Sequence, residues 1–230
     1  MKVFAISDLH LGNNVDKPMD VFGWVGHFDK IKADWIEKVG EEDVVLLCGD
    51  LSWAMKLEDA IDDIMELNKL PGKKIMIKGN HDLWWNSLSK VRAVLPSNIE
   101  VLQHTAINLG NIIVCGTRGW TLPEISKDEH DLKVYNTEIE RTKLALENAV
   151  KLRKNDEKII MMFHYPPYSF IEGETDYTSI VRSYGVNTVL YGHLHGKEYK
   201  KIPLIREQNG VKYYLTSCDI LDNKLMQIDI

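Results

Sequence analysis

The chain has 230 residues, 44% hydrophobic and 27% charged, with a formal net charge of −6. That length supports one large domain or two small ones, with a sizeable core that needs no covalent staples. The acidic balance weighs against a broad nucleic-acid surface, and three cysteines (Cys48, Cys115, Cys218) without a CxxC partner exclude a disulfide framework.

The N-terminal stretch MKVFAISDLHLG carries charge and polar groups too early for a secretory signal. No apolar run approaches the roughly 18 residues of a membrane span, so a cytoplasmic chain with no membrane partner is expected. Short apolar runs at Lys2–Ser7, Asp43–Cys48, Lys74–Lys78, Ile112–Cys115, Lys158–Phe163 and Thr188–Tyr191 predict buried strands. Helical patterns lie between them. Lys30–Val39 comes first, then Leu57–Leu70, which ends at Pro71-Gly72, then Ser87–Leu95, stopped by Pro96. The longest is 127–154, where Ser126 and Glu129 have capping-box spacing. Asp176–Tyr184 is short, with Gly185 as its C-terminal stop. In the tail, Ile202–Ile205, Lys212–Thr216 and Leu225–Ile230 predict strands, with Asn209-Gly210 as a hairpin turn. No linker or repeat interrupts the pattern, so a single α/β domain over 1–230 with mixed sheets is expected. Within it, 120–154 is a candidate helical cap, although a solvated helix face is the preferred reading.

The chemistry lies in the loops after the strands. Asp8 and His10 come after the first, Gly49-Asp50 after the second, and Gly79-Asn80-His81-Asp82 after the third. His164 and Gly192-His193-Leu194-His195 come after two later ones. Loops at strand ends are where α/β sheets present ligand-binding groups. Imidazole and carboxylate suit borderline divalent ions, and a close pair of cations needs an anionic bridge. Asp50 stands alone on its loop and is the candidate bridge. In Asp8-x-His10 and His193-x-His195, alternate residues of an extended segment would project to one side.

The ordered series D-x-H, GD, GNHD, H and GHLH, spread over residues 8–195, resembles the calcineurin-like metallophosphoesterase superfamily. Within it the chain is similar to small bacterial predicted phosphohydrolases. The resemblance implies a two-sheet β-sandwich flanked by helices, and two metal ions, manganese or iron first and zinc as a further option. One ion would be held by Asp8, His10, Asp50 and His195, the other by Asp50, Asn80, His164 and His193. It implies hydrolysis of phosphomonoesters or phosphodiesters by a metal-bound hydroxide. His81 would assist the leaving group, and Asp82 would orient the His81 ring.

Other residues stay open between roles. Arg118, in the post-strand loop Gly116–Trp120, is a candidate phosphate ligand or a surface ion pair. Trp53, Trp84 and Trp85 could stack on a nucleotide substrate or pack the loops onto the core, and packing is preferred. His27, His104 and His130 fall outside every block and read as ordinary surface or loop residues. A small phosphorylated substrate is the expected partner. A nuclease of the same superfamily and a non-catalytic protein-binding scaffold are the alternatives, while oligomeric state leaves no signal.

Overall fold

The computed structural model describes residues 1–12 and 19–230. Its strands are β1 (Val3–Ile6), β2 (Val44–Leu47), β3 (Lys73–Ile77), β4 (Ile99–Leu102), β5 (Thr105–Asn108), β6 (Ile112–Gly116), β7 (Lys158–Met162), β8 (Thr188–Tyr191), β9 (Ile205–Gln208), β10 (Val211–Leu215) and β11 (Met226–Gln227). Its helices are α1 (His27–Lys38), α2 (Leu57–Asn68), α3 (Leu88–Val94), α4 (Glu129–Leu152) and α5 (Asp176–Ser183). One sheet runs β11-β1-β2-β3-β4 and the other β5-β6-β7-β8-β10-β9. Both are mixed: β1 to β4 are parallel, as are β6, β7, β8 and β10, while β11, β5 and β9 pair antiparallel at the edges.

The two sheets face each other across a core that includes Val3, Ala5, Leu46, Ile75, Val114, Ile160 and Leu190. The alternate residues Phe4 and Ile6 of β1 face outward onto Trp35, Ile64 and Val91 of the helices. Ile113, Ile159 and Met161 likewise face Leu146, Ala149 and Tyr177. Central strands are therefore buried on both faces, which is why they read as unbroken apolar runs. All three cysteines are buried free thiols. Among the described residues no helix is long and apolar enough to cross a membrane.

Several boundaries differ from expectation. Strands β4 and β5 had no sequence signal of their own. They are joined only by Gln103-His104, where the chain leaves the edge of one sheet and enters the edge of the other. Helix α4 is capped by Asp128, which accepts from the His130 and Asp131 amides. Ser126, the expected cap, instead donates its hydroxyl to Asp131. An ionised Asp serves a helix start as well as Ser does and adds favourable charge there. The predicted strand at Ile202–Ile205 begins only at Ile205, and that at Leu225–Ile230 is reduced to Met226–Gln227. The Asn209-Gly210 hairpin is present, both residues at positive φ as a tight primed turn requires.

Helix α4, within the candidate cap segment, packs on β5, β6 and α5 as an outer layer of the second sheet. Its buried face includes Tyr135, Glu138, Ala145 and Ala149.

Candidate metal centre

Parallel strands point their C-terminal ends the same way, so the loops after β1, β2, β3, β7 and β8 gather at one end of the sandwich. Backbone bonds lace them together. Asp8 N–H donates to the Gly49 carbonyl, His10 to Asp50, Gly192 to His164, and Ser7 to Thr216 of the other sheet. Asp8, His10, Asp50 and His193 all have positive φ, at 57°, 46°, 53° and 69°. The alternation expected for Asp8-x-His10 and His193-x-His195 is therefore not what aims these side chains. Left-handed turns do so, a conformation that costs L-residues roughly 1–2 kcal/mol and that Asp tolerates better than most.

The glycines of the blocks are explained by the same crowding. A Cβ on Gly79 would stand 2.0 Å from Asp50 Oδ1, and one on Gly192 would stand 2.4 Å from Ser7 Oγ and 2.8 Å from Asp8 Oδ2. Only glycine lets these carboxylates lie against the neighbouring strand ends.

All seven predicted ligands converge. Donor atoms of Asp8, His10 and His195 lie within 4.8 Å of one another, and so do those of Asp8, Asp50 and His164. Asn80 Oδ1 lies 2.7 Å from His164 Nε2 and 3.0 Å from His193 Nδ1. Asp50 Oδ2 lies between imidazoles, 3.4 Å from His164 Nε2 and 3.9 Å from His10 Nε2. Asp50 Oδ2 and both ring nitrogens of His10 are buried without a hydrogen-bond partner. Buried polar atoms left unpaired are expensive. Unpaired carboxylate and imidazole lone pairs converging on one locus fit a bound cation in both charge and donor type.

The residues beside the ligands divide by role. The His81 ring packs on Trp53 at 4.4 Å and edge-on to His10 at 5.5 Å, while its backbone N–H donates to Asp50 Oδ1. The expected orienting bond from Asp82 to that ring is absent. The Asp82 carboxylate turns the other way and accepts from the amides of Asp50, Leu51, Ser52 and Gly79 and from the Trp84 indole. Four convergent backbone donors hold it more firmly than one ring nitrogen could, so Asp82 is a positioning residue for the Asp50 loop. Trp84 and Trp85 are core residues, whereas Trp53 stacks on the His10 ring at 4.7 Å.

Sequence reasoning passed over three neighbours. Trp24 lies 5.9 Å from His10 and 5.7 Å from His195, Tyr165 packs 4.1 Å from His193, and His27 sets Nε2 2.8 Å from the Leu9 carbonyl. Tyr165 is adjacent to His164 and could have been suspected. Trp24 and His27 follow no strand and gave no signal. Arg118 lays its guanidinium over Trp120 at 4.3 Å, and its carbonyl accepts from the His164 and Tyr165 amides.

The sequence profile of calcineurin-like phosphoesterases matches residues 1–197, a span that includes every candidate ligand. The chain belongs to the calcineurin-like phosphoesterase family. Two solved structures share the fold of this phosphoesterase. One is TT1561 of Thermus thermophilus, with TM-score 0.59, 18% identity and coverage of 99% of this chain and 97% of that one. The other is AQ665 from Aquifex aeolicus, a protein of unknown function, with TM-score 0.53, 13% identity and coverage of 98% and 95%. Gene 66 protein of Mycobacterium phage D29 is 38% identical over 82 residues, which is 35% of this chain and only 40% of the phage protein.

The phosphoesterase site is electrostatically divided. Burial lowers His10 to about 4 against the pull of Asp8 and Asp50, and burial with the charge of His164 lowers His193 to about 4. His164 goes the other way: burial opposes its charge, but Asp50 outweighs burial and raises it to about 9. Burial likewise pushes Asp50 up, but His164 and His10 hold it below the usual carboxylate range. Burial and the charge of Asp50 push Asp82 up to about 6, with the amides of Gly79 and Ser52 and the Trp84 indole opposing. Both His164 nitrogens face oxygen, Nδ1 at 2.9 Å from the Cys48 carbonyl and Nε2 at 2.7 Å from Asn80, as suits an imidazolium.

A metal ligand must be a neutral imidazole. Metal uptake at pH 8 is therefore expected to expel about one proton, and affinity is expected to rise as pH climbs toward 9. Calorimetry in buffers of different ionisation enthalpy reads this directly, and proton-neutral uptake at pH 8 contradicts it.

Proposed function

We propose that this chain hydrolyses small phosphomonoesters or phosphodiesters with a pair of metal ions, manganese, iron or zinc. Asp8, His10 and His195 would hold one ion and Asn80, His164 and His193 the other, with Asp50 shared. The observation that carries this reading is the buried Asp50 Oδ2, without a hydrogen-bond partner, standing between His10 and His164. When bound, two such cations supply an activated water and offset the charge of the phosphoryl oxygens.

The protein's own contribution is position and a proton. His81 has no hydrogen bond holding its ring among the described residues, and it lies at the lip of the site against Trp53. Burial lowers its pKa while Asp50 pulls the other way, and an imidazole so placed can pass a proton to a departing oxygen. A cavity of about 710 Å3 opens beside His195, walled by Trp24, Trp53, Phe22 and Lys197. The aromatic walls there support a leaving group of nucleoside size.

The test is release of nitrophenol from mono- and bis-nitrophenyl phosphate with each of the three metals. A folded sample that turns over neither ester with any of them defeats the reading. His81→Asn is expected to slow cleavage of alkyl esters by about 10²–10³-fold and of nitrophenyl esters far less, because nitrophenolate departs without a proton. Equal losses on both would remove His81 from the proton-donor role.

A further inference from the structure

A second cavity, of about 240 Å3, is lined by Lys78, Gln103, His104, Arg118, Glu138 and Arg141 among others. Its cations come from three distant segments: Lys78 from the end of β3, Arg118 from the loop after β6, and Arg141 from α4. All three are half-buried. They are near enough that Arg118 and Arg141 both act electrostatically on Lys78, with Asp82 acting in the opposite sense.

The single carboxylate among the described residues of the wall, Glu138, is already engaged. Glu138 accepts from Arg141 at 2.6 Å, from the Thr117 hydroxyl at 2.6 Å and from the Gly119 amide at 3.1 Å. Neither Lys78 nor Arg118 has a carboxylate partner among the described residues. Lys78 donates to the Trp85 carbonyl, and Arg118 rests on the Trp120 ring. His104 adds a buried Nδ1 with no hydrogen-bond partner. An ordinary solvated surface spreads its cations apart or pairs them. Here like charges are gathered into a recess, which is unfavourable unless an anion joins them.

We propose that this cavity binds a phosphate-type oxyanion, through the Arg118 fork and the Lys78 ammonium. Two sources share that chemistry: free phosphate or pyrophosphate, and a second phosphate on the substrate itself. The cavity backs onto the metal loops. Lys78 precedes Gly79-Asn80, and the Arg118 carbonyl accepts from the His164 amide. Binding of the free anion does not depend on the phosphoesterase reading, whereas the substrate-borne source rests on it.

Calorimetric titration with inorganic phosphate and with pyrophosphate separates these cases. It is run on the wild-type protein and on Asp50→Asn, in which phosphate held by a metal pair is subtracted. For a free anion, saturable one-to-one binding persists in Asp50→Asn and weakens by at least about tenfold in both Lys78→Met and Arg118→Gln. For a substrate-borne phosphate, free anions do not bind, but both variants raise KM for two-phosphate substrates relative to one-phosphate substrates by a similar factor. Arg118→Lys, which keeps the charge and loses the fork, is expected to fall between wild type and Arg118→Gln. No saturable anion binding together with an unmoved KM ratio overturns the proposal. So does anion binding that survives both substitutions intact. Circular dichroism of each variant separates loss of the site from loss of the fold.

Discussion

Asp50→Asn is expected to reduce turnover by about 10³-fold or more, equivalent to about 4 kcal/mol of transition-state stabilisation, and to leave fewer than two metal ions per chain. The substitution keeps the shape of the side chain and a residue type that accepts the left-handed φ of 53°. It removes only the charge. That charge lies 3.4 Å from His164 Nε2 and 3.9 Å from His10 Nε2, with Oδ2 otherwise unpaired. Two cations cannot share a neutral amide as they share a carboxylate. The proton held on His164 loses its main support as well, so the proton expelled on metal uptake should disappear in this variant. Metal analysis by mass spectrometry, beside rate measurements on nitrophenyl esters, reads both effects. A variant that keeps two ions and near-normal rates would show that Asp50 is not shared.

Asp82→Ala is expected to lower stability by roughly 4 kcal/mol, which for a chain of this size is roughly 8–16 °C in Tm. The carboxylate is buried and accepts five bonds at 2.8 to 3.2 Å. Deleting it strands four amides and an indole N–H in a place water cannot easily reach, and each unpaired donor carries its own desolvation penalty. Asp50, whose amide is one of the four, would lose its placement, so activity should fall along with stability. Urea unfolding followed by tryptophan fluorescence measures the loss. A change below about 1 kcal/mol would show that the loop finds other partners.

Much of this was legible because burial on both faces turns each central strand into an apolar run, and the runs of β1, β2, β3, β7 and β8 each ended in a block carrying acid or imidazole. Lys2–Ser7 and Asp8-Leu9-His10 are the clearest example. What stayed hidden depended on distance. Nothing around Asp82 says that three of its partners are the amides of Asp50, Leu51 and Ser52, 30 to 32 residues back, after β2. Its sequence neighbour His81 was the natural guess and the wrong one. Nothing in Thr105–Asn108 marks a strand, since an edge position leaves it half exposed and free of an apolar pattern. Trp24 reaches the site from a segment with no regular periodicity. The turns at Asp8, His10 and His193 read as extended because a local pattern records residue types and not φ. A positive φ at a non-glycine residue becomes visible only when the whole fold imposes it.

The donor atoms are drawn from both layers of the sandwich. Asp8, His10, Asp50 and Asn80 ride on the sheet containing β1 to β3, and His164, His193 and His195 on the sheet containing β7 and β8. An ion seated among them would thus be a rivet as well as a reagent, adding to the Ser7–Thr216 and Cys218–Ser7 backbone bonds that already join the two slabs at this rim. Stripping it would loosen the seam of the sandwich and silence its chemistry in the same event.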